Sequence, residues 1–230
     1  MKQFILGSFV VALVFMVGAP AHGQEPAKKL PIGRKNVFLE IDGTKKRVLV
    51  MSKVCLRMGQ LEQLLTRAGQ KEHEAPLTAD LDAKDIHTAL LLAGAEPGSP
   101  VKFVPKLTPP TGTVIKVTLE YQEKGKAVRR PAQDWIRDIK TKKQLEHDWV
   151  FAGSRLFFDP TDPKAPPIYL ANDGDIICVA NFDTALLDLP IDSSKDNGQL
   201  AFEAQTDRIP ELGTPVTIIL EPVLAVKKAK

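Results

Sequence analysis

Hydrophobic and polar residues follow two different periods along the chain, and the clearest change of period lies near residue 80. From Glu72 to Asp80 apolar and polar residues alternate, which is typical of a strand with one buried face. On this pattern His73 points to the apolar side. From Asp82 onward apolar residues recur at helical spacing, and Asp82 is placed to cap a helix that Gly94 ends. The stretch therefore predicts a strand, a turn and a helix.

The rest of the pattern predicts short strands. For residues 61–67 both a helix and a strand fit, and the turn that follows favours the strand. The predicted strands are 36–41 and 47–56 as a hairpin, then 61–67, 101–104, 113–121, 149–158, 168–171, 176–180, 200–205 and 216–220, with a short helix at 131–139. One clear helix among many strands predicts an α+β fold with a mainly antiparallel sheet, few helices and a single compact domain.

The first 21 residues have the pattern of an export signal. Lys2 precedes an apolar run from Phe4 to Gly18, and Ala19-Pro20-Ala21 is an A-x-A-like cleavage site. The run of about 15 apolar residues is shorter than the roughly 20 that a membrane-spanning helix needs. We therefore predict a signal peptide at 1–21 and a soluble mature protein, exported to the periplasm or the extracellular space, without a transmembrane segment.

Composition divides the remaining chain into three parts. Residues 22–35 are rich in Pro, Lys and Gly and predict a disordered leader, residues 36–222 predict one domain, and residues 223–230 are a basic tail. The formal net charge is +3, and it falls to +2 without the signal peptide, because Lys2 is the only charged residue there. A charge so close to balance predicts no binding of nucleic acid. A protein or envelope partner is compatible with it, and the sequence assigns no oligomeric state.

Two histidines of the first stretch are the candidates for chemistry. His73 would lean inward from the strand and His87 from the helix, so a helix folded back on the strand would bring them together. With Glu72, Glu74 and Asp85 they would suit zinc or a non-haem iron that activates a water molecule. The spacing matches no metal motif, and strand alternation turns both glutamates away from His73. The alternative is histidines at the core edge with solvated glutamates.

The two cysteines leave their own pairing open. An exported protein permits a disulfide between Cys55 and Cys178, whereas the apolar residues around both favour buried thiols. A cluster of iron and sulfur held by cysteines needs four thiolates, so the sequence predicts no iron–sulfur cluster.

Several short segments carry a resemblance to a known family. They are Val54-Cys55-Leu56-Arg57, Gly59-Gln60-Leu61-Glu62, Lys71-Glu72-His73-Glu74, Ile86-His87, Ala89 to Pro97-Gly98, Trp149 to Ser154, Gly174 to Phe182, Leu187-Asp188-Leu189-Pro190 and Ile209-Pro210 to Val216. Together they resemble the YdjY domain, in the long secreted form typical of planctomycete bacteria, over residues 36–222. The resemblance implies no particular activity. Some relatives carry a ferredoxin-like label, which the cysteine count argues against.

Two functions are compatible with these observations, and whether the protein is an enzyme stays open. The main prediction is a non-catalytic exported module that binds a partner in the cell envelope or periplasm. The alternative is a metal-dependent enzyme, most simply a hydrolase, at His73 and His87. The enzyme requires the two rings to converge in a water-accessible cleft, whereas the module requires each ring to be satisfied by packing and hydrogen bonds.

Overall fold

The computed structural model describes residues 27–33, 35–193, 195–196 and 199–224. The predicted signal peptide and most of the basic tail lie outside the described residues. The strands are β1 (Lys28–Pro31), β2 (Val37–Asp42), β3 (Lys45–Val54), β4 (Gln63–Arg67), β5 (Leu77–Ala79), β6 (Val114–Glu123), β7 (Lys126–Pro131), β8 (Ile136–Asp138), β9 (Trp149–Phe151), β10 (Leu156–Phe157), β11 (Ile168–Tyr169), β12 (Ile177–Cys178), β13 (Leu187–Asp188), β14 (Phe202–Ala204) and β15 (Pro215–Pro222). The α-helix α1 spans Ala83–Leu92, and short 3-10 helices span Ala132–Trp135, Leu170–Asp173 and Thr206–Arg208.

Eight of these strands close into a barrel. Around the ring the order is β3, β15, β6, β9, β13, β12, β4 and β5, and β5 pairs again with β3. The pairs β12–β13 and β4–β5 are parallel, and the other neighbours are antiparallel. The predicted α+β fold with a mainly antiparallel sheet is therefore wrong. The described chain is mostly strand, with a mixed and closed sheet and α1 as its one α-helix.

The ring closes because its two longest strands change partner along one edge. Residues 45–50 of β3 pair with β2, and its last residues, Lys53 and Val54, pair with β5. In the same way residues 118–123 of β6 pair with β7, whereas Val114 and Ile115 pair with β9. Hydrophobic periodicity indicates which residues form strands but not which distant edge each strand joins. The barrel was therefore not predictable from the periodicity.

Side chains fill the interior of the barrel. Every strand of the ring contributes to one core cluster, in which Trp149, Phe151, Leu64 and Ile115 are fully buried. Helix α1 packs on β2 and β3 and buries Ile86 on the same cluster. An eight-stranded barrel is narrow enough for side chains to fill it. Ligand sites are therefore expected on the outer surface and in the loops.

The predictions that rest on residues close together in the sequence agree with the structure. The Asp82 side chain accepts a hydrogen bond of 2.9 Å from the Lys84 amide, and Gly94 adopts a left-handed conformation (φ +93°), which confirms the helix and its two ends. The β2–β3 hairpin and the strand β4 are also confirmed. The predicted leader contains β1 at Lys28–Pro31, which pairs with β2.

Two further predictions concern membranes and thiols. Within the described part of the chain, no helix has the length and apolarity to cross a bilayer. Cys55 and Cys178 are both free thiols, and the Cys55 Sγ donates to the Ala75 carbonyl oxygen at 3.0 Å. The structure therefore has two free thiols, of which Cys178 is buried and Cys55 is partly exposed.

Candidate functional site

Three of the predicted site residues, Glu72, His73 and Glu74, lie in a turn before β5 rather than on a strand. Residues 71–74 form this turn, so the alternation that placed His73 inward does not exist there. The His73 side chain is 76% exposed, and its Nε2 lies 3.2 Å from Glu74 Oε1. Glu72 instead accepts a hydrogen bond of 2.8 Å from the Thr78 hydroxyl. The predicted inward orientation of His73 is therefore wrong.

Asp85 and His87, the two predicted site residues on α1, contact residues outside the predicted metal site. The Asp85 carboxyl group lies against Gly33, where a Cβ atom would be 2.0 Å from its Cγ. His87 is hydrogen-bonded to Tyr169. Across the described residues, no three His, Cys, Asp or Glu side chains come together as ligands for a metal ion. Zinc or iron binding by these residues stays a prediction that no described cluster supports.

Glu74 belongs to an acid–lysine cluster, which we define as Glu62, Lys71, Glu74 and Asp175. The Lys71 Nζ lies 2.8 Å from Asp175 Oδ1 and 3.9 Å from Glu62 Oε2. It also lies 4.3 Å from the centre of the Phe182 ring, within the range of a cation–π attraction. The carboxyl group of Glu62 is hydrogen-bonded to that of Glu74. One ammonium group therefore faces two carboxyl groups, those of Asp175 and Glu62, and a third, that of Glu74, is bonded to Glu62.

Burial and neighbouring charges set the protonation of this cluster. The Glu62 side chain is 9% exposed. Its burial, with the charge of Glu74, raises the pKa of Glu62 to about 7, although Lys71 opposes the rise. Burial alone would lower the pKa of Lys71, but the hydrogen bond and charge of Asp175 outweigh it and raise this pKa. A carboxyl group that exchanges its proton near neutral pH is suited to acid–base chemistry or to binding a cation in place of the proton.

Neighbouring residues hold Asp175 in position. The Gln63 Nε2 donates to Asp175 Oδ1 at 3.1 Å, and the Thr184 hydroxyl donates to Oδ2 at 2.5 Å. Gly174 adopts a φ of +116°, and a Cβ atom there would lie 2.7 Å from the Thr66 hydroxyl oxygen. Glycine at this position lets the segment approach β4 closely, which brings Asp175 to Lys71.

The second region is a surface depression of about 480 Å³ beside α1. We call it the histidine pocket and define it by Lys84, His87, Gly153, Arg155, Leu156 and Tyr169. It lies between α1 and the β10–β11 hairpin. Gly153 adopts a φ of +91°, and a Cβ atom there would be 2.9 Å from Pro97 Cβ, so glycine is needed where this loop meets the loop after α1.

Hydrogen bonds in the histidine pocket fix the tautomer of His87. The Tyr169 hydroxyl donates its single proton to the Gly153 carbonyl oxygen at 2.8 Å. The same hydroxyl oxygen lies 2.7 Å from His87 Nδ1, so Nδ1 carries a proton and donates it to Tyr169. In the neutral ring Nε2 then has a lone pair. His87, which lines the pocket, therefore has one ring nitrogen able to accept a hydrogen bond.

The surroundings of His87 favour its neutral form. Burial lowers the pKa of His87, and the hydrogen bond to Gly153 opposes the shift only in part. The ring packs edge-on against Phe151 and Tyr169, with centroid distances of 4.8 Å and 5.7 Å. Burial, followed by the charge of Asp82, raises the pKa of Tyr169, which keeps its hydroxyl protonated. The pocket thus presents an uncharged acceptor at neutral pH.

Charged and apolar groups border that acceptor. Lys84 and Arg155 line the pocket, and one guanidinium nitrogen of Arg155 pairs with Asp183 at 2.8 Å. Leu156 is half exposed, and other apolar side chains of the same hairpin are also exposed, namely Phe157, Phe158 and Ile168. An exposed apolar patch beside two cations is typical of a site for an amphipathic ligand.

The sequence signals for these two regions were weak. Glu62 and Gln63 stand between apolar residues Leu61 and Leu64, and Asp175 directly precedes an apolar strand. Polar residues within apolar runs indicate buried polar groups, which is the signal that would have drawn attention to them. No comparable local signal marks Tyr169 as the partner of His87.

Comparison with known proteins gives a family and nothing beyond it. The family model of the YdjY domain matches residues 39–221, which is most of the chain. No curated protein and no solved structure matches the chain.

Proposed function

Because the chain belongs to the YdjY domain family, and because this membership names no reaction, we propose a function from the geometry of the histidine pocket. The protein is an exported, non-catalytic binding module of the cell envelope or periplasm. Its ligand carries an acidic group on an apolar body. The observation that carries the proposal is the neutral, oriented imidazole of His87 in a pocket bordered by Lys84 and Arg155.

The chemistry of the pocket supports an acidic ligand. A carboxylate accepts paired hydrogen bonds from a guanidinium group, and Arg155, which pairs with Asp183 through one nitrogen, has a side chain that is 54% exposed. Lys84 adds a second positive charge on the side of α1. The His87 lone pair accepts a hydrogen bond from a hydroxyl or N–H group on the same ligand. Leu156 supplies the apolar contact.

The pattern of residues 1–21 and the resemblance to a long secreted form support export. If the signal is cleaved as proposed, protein recovered from the periplasm or medium begins at His22. Intact-mass measurement of the full-length gene product tests this directly. A chain that keeps Met1 and remains in the cytoplasm would contradict export but would leave the pocket to be tested separately.

Binding is tested by titrating the ¹⁵N-labelled protein with phenylacetate and, as a neutral control of the same shape, with phenylacetamide. We expect saturable shifts of the His87 ring and Gly153 amide signals, with phenylacetate at least several-fold tighter. Arg155→Gln should remove that preference. Arg129→Gln, which alters an exposed strand pair with Glu120, should leave it unchanged. Equal affinity for the two probes would refute an acidic ligand, and the absence of saturable binding by either would refute the pocket as a binding site.

A further inference from the structure

The acid–lysine cluster has more hydrogen-bond acceptors than donors. Gln63 is fully buried, and its Nε2 donates to Asp175. Its Oε1 is buried as well, and among the described residues it has no hydrogen-bond partner. A buried acceptor without a donor is costly and rare in folded proteins, so this atom indicates a missing donor at the cluster.

The charges of the cluster also indicate that a hydrogen-bond donor is missing there. Lys71 is engaged at short range by Asp175, and its distance to Glu62 is 3.9 Å. Because the Glu62 and Glu74 carboxyl groups are hydrogen-bonded to each other, one of them carries a proton. The basic groups that reach the pair are Lys71, 3.9 Å from Glu62, and His73, 3.2 Å from Glu74. The His73 imidazole is mostly exposed and is charged only when protonated.

We propose that the acid–lysine cluster is a binding site for an organic cation with several N–H donors, a primary ammonium or a guanidinium group. On binding, the proton shared by Glu62 and Glu74 leaves to solvent, and both carboxylates accept N–H bonds from the ligand. Gln63 Oε1 accepts a further bond. The ligand enters beside Lys71 and Glu74, whose side chains are 26% and 17% exposed. The proposal is independent of the histidine pocket.

The test is a titration of the ¹⁵N-labelled protein with methylguanidinium chloride, observed at the Gln63 side-chain amide. Tetramethylammonium chloride is the matched control, because it carries the same charge without an N–H group. We expect a saturable shift with methylguanidinium only. Binding should be about tenfold tighter at pH 8 than at pH 6, because one proton must leave at the lower pH.

Three variants identify the side chain that causes the pH dependence of binding. Glu62→Gln should abolish it, since no proton is then shared with Glu74. Glu72→Gln, which changes the neighbouring carboxylate bonded to Thr78, should retain it. His73→Gln should also retain it, because the imidazole contacts only Glu74 and the shared proton lies between Glu62 and Glu74. Lys71 and Asp175 face the pair in all three variants and are left unchanged.

A parallel titration with N-acetylarginine amide distinguishes two sources of the cation, a side chain on a partner chain and a free small molecule. Binding of both probes indicates a side chain on a partner chain, and binding of methylguanidinium alone indicates a free small molecule. Either result supports the site. Equal, non-saturating shifts with methylguanidinium and tetramethylammonium at both pH values would overturn it, and would leave the cluster as a closed internal ion-pair network.

Discussion

The acid–lysine cluster and the histidine pocket each contain a titratable side chain whose pKa is shifted by burial, yet the two shifts have opposite signs. Burial raises the pKa of Glu62 to about 7 and lowers the pKa of His87, so both side chains favour the neutral form. Glu62 faces other acids and needs a proton from solvent. His87 faces aromatic rings and a hydroxyl that fixes its tautomer. The same desolvation therefore creates a site that lacks a donor in one region and an oriented acceptor in the other.

The stabilities of the two regions also respond to pH in opposite directions. The folded pKa of Glu62 lies above its ordinary value of 4.5, so the folded state holds the extra proton and stability falls as pH rises from there through about 7. The folded pKa of His87 lies below its ordinary value of 6.5, so stability falls as pH drops below 6.5. A substitution of Glu62 should therefore remove the loss of stability with rising pH, and a substitution of His87 should remove the loss with falling pH.

The largest effect is expected from Lys71→Met, which removes the only ammonium of the cluster. Asp175, whose side chain is 6% exposed, would lose its cation, and Glu62 and Glu74 would lose the charge that opposes their repulsion. Removing one partner of a buried ion pair typically costs roughly 3–5 kcal/mol. We expect a loss of this size in the free energy of unfolding at pH 7, measured by urea denaturation.

The matched control is Lys35→Met. Lys35 pairs with Asp80 at the same distance of 2.8 Å, but the two side chains are 65% and 67% exposed. Exposed pairs contribute about 0–1 kcal/mol, so this variant should differ little from the wild type. If both variants lost the same free energy, burial would not distinguish the cluster from an ordinary surface pair, and the comparison drawn above would fail.

How well the sequence predicts these regions depends on how far apart in the chain the interacting residues lie. The cap at Asp82 and the stop at Gly94 were predictable, because each acts within one turn of its own helix. The inward position of His73 was predicted wrongly, because a turn replaces the strand that the alternation indicated. The sequence shows which residues carry titratable groups, but it does not show which groups surround them in the fold.

Long-range partners account for most of what was missed. Lys71 meets Asp175 across 104 residues, and His87 meets Tyr169 across 82. The first contact depends on the pairing of β4 with β12 in the closed barrel, and the second on the packing of α1 beside the β10–β11 hairpin. Periodicity within one segment carries no information about either arrangement, so neither site could be assembled before the fold was known.

The second prediction tests the shared proton. In Glu62→Gln the amide can donate to Glu74 without taking a proton from solvent. The shift from 4.5 to about 7 corresponds to roughly 3 kcal/mol that the wild type loses as the pH rises from 4.5 to about 7. We expect the variant to be more stable than the wild type at pH 8.5, by an amount up to this size, and to approach it near pH 4.5. The measurement is urea denaturation across that range.

The control for the second prediction is Glu72→Gln, in the same turn. Its carboxylate accepts from Thr78 and does not belong to the pair, so the difference from wild type should not grow with pH. A Glu62→Gln variant that is less stable than the wild type at pH 8.5 would show that Glu62 stays ionised and paired with Lys71, and that no shared proton exists.

The smallest effect concerns the tautomer of His87, and Tyr169→Phe tests it. The substitution removes the hydroxyl that donates to Gly153 and accepts from Nδ1, so two buried groups lose a partner. We expect a loss of about 1–3 kcal/mol in unfolding free energy. The ring nitrogen shifts should also show a new population protonated at Nε2, because no fixed acceptor then holds the proton on Nδ1.

Ser154→Ala separates the tautomer from simple loss of a hydrogen bond. The Ser154 hydroxyl also donates to a carbonyl oxygen, that of Thr184 at 2.6 Å, but it is not bonded to the imidazole. We expect this variant to lose a similar amount of stability and to keep the proton of His87 on Nδ1. If Tyr169→Phe leaves the ring nitrogen shifts unchanged, another group fixes the tautomer, and the oriented acceptor that distinguishes the pocket from the cluster does not depend on Tyr169.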